Sequence, residues 1–275
     1  MQTQIQEIIR RLTPFYPEPE AREMAYWIVE ETIGMNRFDA CRYAGTKSIP
    51  NLEDILEKLC SYVPIQHIFG HTLWMGMDLD VSEAVLIPRP ETAELVEYAS
   101  ASMSGRTGRL LDVGTGSGCI ALALKQRHPH WQIDALDISR AALDVARRNA
   151  AKTHTEITFL EADITDVRSM HAAGMQPHYD IIVSNPPYIR PSERRTMTQN
   201  TLLHEPDTAL FVPEDDPLLF YRQIASLDLA AELWFEINEQ MGAAMMDMLA
   251  QYGYKAQCKK DMYGKDRFVY GRKND

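Results

Sequence analysis

Only four cysteines occur in the 275 residues, Cys41, Cys60, Cys119 and Cys258, and no two of them form a Cys-x-x-Cys pair. That argues against a zinc site built on thiolates and fits reduced thiols, so a cytoplasmic location is expected. His67, His71 and His204 lack the spacing of metal ligands, and no metal is expected. Long apolar runs are missing: the stretch Met24 to Val29 is six residues, where a membrane-spanning helix needs about 20. No charged start followed by an apolar core opens the chain, so neither a signal peptide nor a membrane partner is expected. A basic excess is missing too. Lys and Arg number 28 against 39 Asp and Glu, for a net charge of −11, and residues 1–70 hold seven basic and ten acidic side chains. Binding a nucleic-acid backbone needs a basic face, so no nucleic-acid partner is expected. Internal repeats and low-complexity tracts are also absent. What remains, 45% hydrophobic and 24% charged residues, is ordinary for a globular chain long enough for one large or two smaller domains. A monomer is expected.

Residues 1–70 read as helical. Ile5, Ile8, Ile9 and Leu12 share one helical face, and Pro14, Pro17 and Pro19 are expected to break that helix. Glu20 to Ile33 forms a second, with Ala21, Met24, Ala25 and Ile28 as its stripe. Asn51 is expected to cap a third, Leu52 to Leu59. Residues 71–88 read as a hairpin linker around Gly76. A helix starts near Glu91, favoured by Pro90 in its first turn, and Leu95, Val96 and Tyr98 are candidates for its buried face. Strands near 109–113, 132–137, 156–160, 179–184 and 231–237 then alternate with helices, the pattern of a parallel sheet covered on both faces. Residues 255–258 and 267–270 suggest an added hairpin. Residues 190–216 have no clean periodicity and read as a loop over the active site.

Two strand ends carry the chemistry. Arg109–Val113 is followed at once by Gly114-Thr115-Gly116-Ser117-Gly118 and then by a helix, an order that lets a ligand approach the backbone. The next strand ends in Asp137, 21 positions after Gly116, where an acid commonly binds ribose hydroxyls. The spacing is Gly-x-Gly-x-Gly rather than Gly-x-Gly-x-x-Gly, which favours an adenosine ligand without a pyrophosphate, such as S-adenosylmethionine. Later, the apolar run Tyr179–Ser184 ends in Asn185-Pro186-Pro187-Tyr188. Its two prolines stiffen the turn, its amide can hold a planar nitrogen, and its ring can stack. Taken singly, each feature has a plainer reading. The glycines make a tight turn, Asp137 caps the helix opened by Ser139, and Asn185 is a turn residue. Their combination in this order points to a site.

In these residues, and in Pro64-Ile65-Gln66-His67-Ile68-Phe69-Gly70, Leu86-Ile87-Pro88-Arg89-Pro90-Glu91-Thr92, Glu205-Pro206 and Asp261 with Gly264, Asp266 and Arg267, the chain resembles the HemK/PrmC protein-(glutamine-N5) methyltransferases. That family modifies peptide chain release factors. The chain departs from the family pattern at Glu236-Ile237-Asn238, at Glu214-Asp215-Asp216 and at Ile164 after Asp163. The resemblance implies an α/β fold: a Rossmann-like class I methyltransferase sheet dependent on S-adenosylmethionine, with a C-terminal hairpin and a small N-terminal helical domain. It implies a substrate-docking domain at 1–70, the linker at 71–88 and the methyltransferase domain at 89–275. S-adenosylmethionine would be the methyl donor and S-adenosylhomocysteine the product. Gly114, Thr115, Gly116, Ser117, Gly118, Asp137, Asp163, Ile164 and Asn185 would bind the cofactor. Asn185, Pro186 and Tyr188 would be catalytic, and Asn185, Pro186, Pro187, Tyr188, Arg89 and Glu205 would bind substrate. Arg89 has a second reading as a structural ion pair, and Glu205 as the cap of a turn. The substrate would be the glutamine of the Gly-Gly-Gln motif in class I release factors. An adenine-N6 DNA or RNA methyltransferase is the alternative, since Asn-Pro-Pro-Tyr occurs there too; a non-catalytic scaffold is a third reading.

Overall fold

The computed structural model describes residues 1–45 and 47–273. Thr46, Asn274 and Asp275, which fall within the expected spans 1–70 and 89–275, lie outside the described residues. The chain forms two compact units, one comprising Met1–Gly70 with Thr198–His204, the other His71–Met197 with the residues from Glu205 onward.

The first unit holds α1 (Gln2–Leu12), α2 (Glu18–Ile33), α3 (Arg37–Arg42), α4 (Leu52–Cys60) and α5 (Ile65–Phe69). The spacing of Ile5, Ile8, Ile9 and Leu12 puts all four into one core with Ala21, Met24, Ala25 and Ile28 of α2. Pro19 does not break a helix. It lies in the first turn of α2, where its missing N–H has no intrahelical partner to lose. Asn51 also departs from the expected cap: it takes φ +52° and its side chain makes no capping hydrogen bond to α4. Asn36 is the asparagine that caps, accepting the Asp39 amide hydrogen at 2.9 Å.

The second unit opens with the hairpin β1 (His71–Trp74) and β2 (Met77–Asp80). Met75 and Gly76 both have positive φ, 48° and 79°, as a two-residue turn between twisted strands requires. This hairpin is no free linker, because Trp74, Met77 and Leu79 sit in the core of the unit. The chain continues through α6 (Pro90–Met103), β3 (Arg109–Val113), α7 (Cys119–Arg127), β4 (Gln132–Asp137), α8 (Arg140–Lys152), β5 (Thr158–Glu161), α9 (Val167–Ala172) and β6 (Tyr179–Ser184). After a 3₁₀ turn come α10 (Gln199–His204), which is the helix of the first unit's added segment, and α11 (Asp207–Leu210). Then follow α12 (Leu219–Ser226), β7 (Ala230–Glu236), α13 (Gly242–Gln251), β8 (Tyr254–Lys260) and β9 (Asp266–Lys273).

The seven-stranded sheet runs β5-β4-β3-β6-β7-β9-β8. Strands β3 to β7 are parallel, and β9 pairs antiparallel with both β7 and β8. The C-terminal hairpin thus extends the sheet. Alternation along the strands builds two cores: Leu110, Ile181 and Val183 face α6 and α7, while Leu111, Val113 and Ile182 face α12 and α13. Burial on both faces explains why these strands read as continuous apolar runs. Sequence order reverses at β3, whose neighbours are β4 on one side and β6 on the other. A crevice at the carboxyl ends of such strands is where open α/β sheets bind ligands.

Candidate active site

A cavity of about 450 Å³ opens at that reversal, within the size range of small-molecule sites. The loop after β3 forms its floor. Gly114, Gly116 and Gly118 have φ of 73°, 54° and 84°, in the left-handed region that L side chains disfavour. A Cβ added at Gly114 or Gly116 would meet nothing within 4 Å, whereas one at Gly118 would come within 3.2 Å of Ala146 Cβ on α8. The first two glycines therefore keep a cradle open beside the cavity, and the third lets α7 pack on α8. The Gly114 and Thr115 amides donate to the Leu136 carbonyl at 2.8 and 3.0 Å, which ties the loop to β4.

Asp137 closes that strand. Its Oδ2 accepts the Gly116 amide hydrogen and its Oδ1 the Ser139 amide hydrogen, both at 2.9 Å. Burial is the largest influence on its carboxyl and raises its pKa, while these amides oppose the rise. Ser139, not Asp137, caps α8, accepting from the Ala142 amide. Asp137 thus fixes the loop and still offers carboxylate lone pairs to a ligand. Asp163 and Ile164 border the cavity beyond it. Asp163 Oδ1 already accepts from the Thr165 amide and hydroxyl at 2.8 and 2.7 Å.

Across the cavity stands the turn after β6. Ser184 is fully buried, and its hydroxyl donates to the Val113 carbonyl at 2.7 Å, joining the ends of β6 and β3. Asn185, Pro186 and Pro187 line the cavity. Asn185 Nδ2 donates to Thr92 Oγ1 at 3.2 Å, so Oδ1 is the acceptor left for a ligand. Tyr188 is placed differently from the expectation. It is not among the cavity-lining residues; it packs against the second core, and its hydroxyl donates to Glu236 Oε1 at 3.3 Å. Burial raises its phenol pKa well above the usual value.

Arg89 lines the cavity and pairs with Glu205, its Nη2 donating to both carboxylate oxygens at 2.7 and 2.9 Å. The Glu205 side chain is 1% exposed. Burial raises its pKa, and Arg89 works against that. The Trp74 indole donates to the Arg89 carbonyl at 2.9 Å, so the hairpin holds this segment in place. Glu205 does not line the cavity; its link to the cavity wall is its ion pair with Arg89. Sequence reasoning missed the apolar walls, among them Val85, Leu86, Phe211 and Phe220. It also missed Thr92 and Glu236 as functional groups. Only the position of Thr92 beside Arg89 in the Ile-Pro-Arg-Pro-Glu-Thr segment signalled the former.

An open, mostly parallel sheet with a glycine loop, a strand-end carboxylate and an asparagine corner meeting at its switch point defines a class I methyltransferase of the S-adenosylmethionine-dependent kind. The Methyltransferase small domain family matches residues 91–212. A release factor glutamine methyltransferase of Bacteroides thetaiotaomicron is 40% identical over 275 residues, spanning 95% of this chain and 96% of its own. One of Flavobacterium psychrophilum is 36% identical, spanning 96% and 95%. The chain belongs to the release factor glutamine methyltransferase family. Among solved structures, the hMettl16 catalytic domain in complex with the MAT2A 3'UTR hairpin 6 shares the fold, with a TM-score of 0.59 at 16% identity over 97% of this chain and 93% of that one.

Proposed function

We propose that this protein transfers a methyl group from S-adenosylmethionine to the side-chain amide nitrogen of the glutamine in the Gly-Gly-Gln motif of class I release factors. The observation that carries the reading is the position of Asn185, one strand over from the glycine loop, with its amide nitrogen committed to Thr92 and its oxygen left for a ligand.

The residues present fit the cofactor. The open space beside Gly114 and Gly116 admits its amino-acid and ribose portion, Asp137 has lone pairs for the ribose hydroxyls, and Asp163 and Ile164 border the place for adenine. Once bound, S-adenosylmethionine supplies an electrophilic methyl group. The protein's own task is the nucleophile. A carboxamide nitrogen is poorly reactive because its lone pair is delocalised into the carbonyl. Asn185 Oδ1 and the Pro186 carbonyl accept the two hydrogens of the substrate amide. This turns the lone pair toward the methyl donor and places acceptors where positive charge develops on nitrogen. Pro186 and Pro187 hold those acceptors still. No side chain need act as a strong base, since the proton can leave after transfer.

Residues 1–70 dock the release factor in this reading, and the enzyme acts as a monomer in the cytoplasm without a nucleic-acid partner. The net charge of −11 supports a protein substrate over a nucleic acid. The test is incubation with labelled S-adenosylmethionine and either release factor or DNA. Label is expected on the factor, lost when its Gly-Gly-Gln glutamine becomes alanine. Asn185→Ala is expected to lower kcat by about 10² or more while cofactor affinity stays within about threefold. Label on DNA, or equal loss of both parameters, would overturn the reading.

A further inference from the structure

Asn185 is one end of a buried chain of side chains that begins on a different strand. Thr92, in the first turn of α6, is 3% exposed, and Glu236, the last residue of β7, is 2% exposed. Thr92 Oγ1 accepts from Asn185 Nδ2 at 3.2 Å and donates to Glu236 Oε2 at 2.8 Å. The second Glu236 oxygen accepts from the Tyr188 hydroxyl at 3.3 Å. The Glu236 carbonyl accepts from Tyr221 at 2.9 Å, which fixes the end of β7.

A threonine hydroxyl carries one hydrogen. With that hydrogen given to a carboxylate, the hydroxyl is an acceptor only on its other side. The Asn185 carboxamide must then present its NH₂ group to Thr92 and its oxygen away from it. If the hydroxyl hydrogen were free, either face of the carboxamide would be satisfied. The wrong face would set an NH₂ group against the NH₂ of the substrate glutamine, donor against donor. We propose that Thr92 and Glu236 are positioning residues that lock the Asn185 carboxamide with Oδ1 toward the substrate nitrogen. The inference rests on the role given above to Asn185 and adds what dictates its orientation.

The surroundings of Glu236 suit this task. Against the burial that dominates it, the Thr92 hydroxyl and then Arg267 on β9 favour its carboxylate, and the Tyr188 hydroxyl adds to them. Burial, the largest influence, and the negative charge of Glu91 on α6 oppose it; together they leave Glu236 at about 7. Above that pH the carboxylate takes the threonine hydrogen. Below it the protonated acid can itself donate to Thr92 Oγ1, which frees the threonine hydrogen to meet Asn185 Oδ1 and permits the wrong face.

The test combines NMR with kinetics. The Asn185 NH₂ signals, identified by their loss in Asn185→Ala, are expected to be protected from hydrogen exchange in the wild type and in Thr92→Ser, and unprotected in Thr92→Val. This readout needs neither cofactor nor release factor. In turnover, Thr92→Val is expected to lower kcat/KM at least about thirtyfold with cofactor affinity within about threefold, and Thr92→Ser to stay within about threefold of wild type. The wild-type kcat should rise with pH through about 7, and that rise should vanish in Glu236→Gln. Unchanged Asn185 signals in Thr92→Val, or a Thr92→Ser variant as poor as Thr92→Val, would overturn the proposal. If Thr92→Val does not fold, Thr92→Ala carries the test: it too removes the hydroxyl that accepts from Asn185 Nδ2, so retained Asn185 protection there overturns the proposal equally. A wild type inert on release factor but with the expected NMR pattern would defeat the methyl-transfer reading and leave the orientation device standing.

Discussion

Asp137 holds Gly116: Oδ2 of the acid at the end of β4 accepts the glycine's amide hydrogen at 2.9 Å, across 21 residues of chain. The other oxygen accepts from Ser139, so one carboxylate sets the loop and the start of α8 together. Asparagine has a single acceptor oxygen for these two amides. Asp137→Asn is therefore expected to cost about 1–3 kcal/mol in urea denaturation, the usual cost of a half-buried donor left unmade. It should also weaken cofactor binding by about tenfold or more in calorimetry, about 1.4 kcal/mol. Unaltered affinity would mean that the acid serves the loop alone.

The glycines of that loop should separate stability from binding. Alanine at Gly116 or Gly118 places an L residue at positive φ, about 1–2 kcal/mol of strain in either case. Gly118→Ala additionally crowds Ala146 at 3.2 Å and should be the less stable variant. Gly116→Ala projects its methyl into the cradle and should lose more cofactor affinity. Melting and titration of the two variants side by side decide this, and the reverse ranking would place the ligand elsewhere.

The Arg89–Glu205 pair is unequal, because the arginine side chain is 34% exposed and the glutamate 1%. Arg89→Ala strands a buried carboxylate and is expected to destabilise by about 1–3 kcal/mol. Arg89→Met with Glu205→Gln should recover most of that, since nothing charged is left in the interior and the Ile87 backbone, which hydrogen-bonds the Glu205 side chain, keeps an acceptor. Failure of the double variant to recover in chemical denaturation would show that the pair is held by its shape.

Asp112 gives a pH dependence with a definite sign. It is fully buried, and among the described residues only its Oδ2 has hydrogen-bond partners, Thr115 Oγ1 at 2.7 Å and the Ala121 amide at 3.2 Å. Burial lifts its pKa from 3.8 to about 7. A raised folded-state pKa means that the folded state binds a proton the unfolded state has released. The contribution of this group is thus present in full below about pH 4 and is lost as pH rises through about 7. Between pH 5 and 8 the wild type should lose more denaturation stability than Asp112→Asn, whose side chain does not titrate. Parallel losses in the two proteins would rule Asp112 out as the source.

Much of the site was legible because it is local in sequence. Gly114 to Gly118 and Asn185 to Tyr188 each follow an apolar strand directly, and those two strands, β3 and β6, have the bounds their apolar runs predict. What was illegible depends on distance. Thr92, Asn185 and Glu236 meet only through the order β3-β6-β7 and the packing of α6, which no local pattern encodes. Tyr188 reads as a ligand-facing ring because its turn faces the cavity. Its side chain instead turns toward Glu236, whose carboxylate lies on a strand 48 residues away. Asn51 carries the cap signal but adopts φ +52° and makes no cap. Residues 198–204 join the first unit through contacts such as Tyr16 with Asn200, invisible in a segment without periodicity.

The hydroxyl of Ser184 on the Val113 carbonyl spans 71 residues, and two other strands must be laid down between its partners. Pairing across such separations is slow to form, and the cavity has no existence until it is complete. A small molecule that occupies the cavity binds the sheet in its native order. Such a compound would act as a folding aid: at a hundredfold excess over Kd it would favour the native chain by about 2.7 kcal/mol.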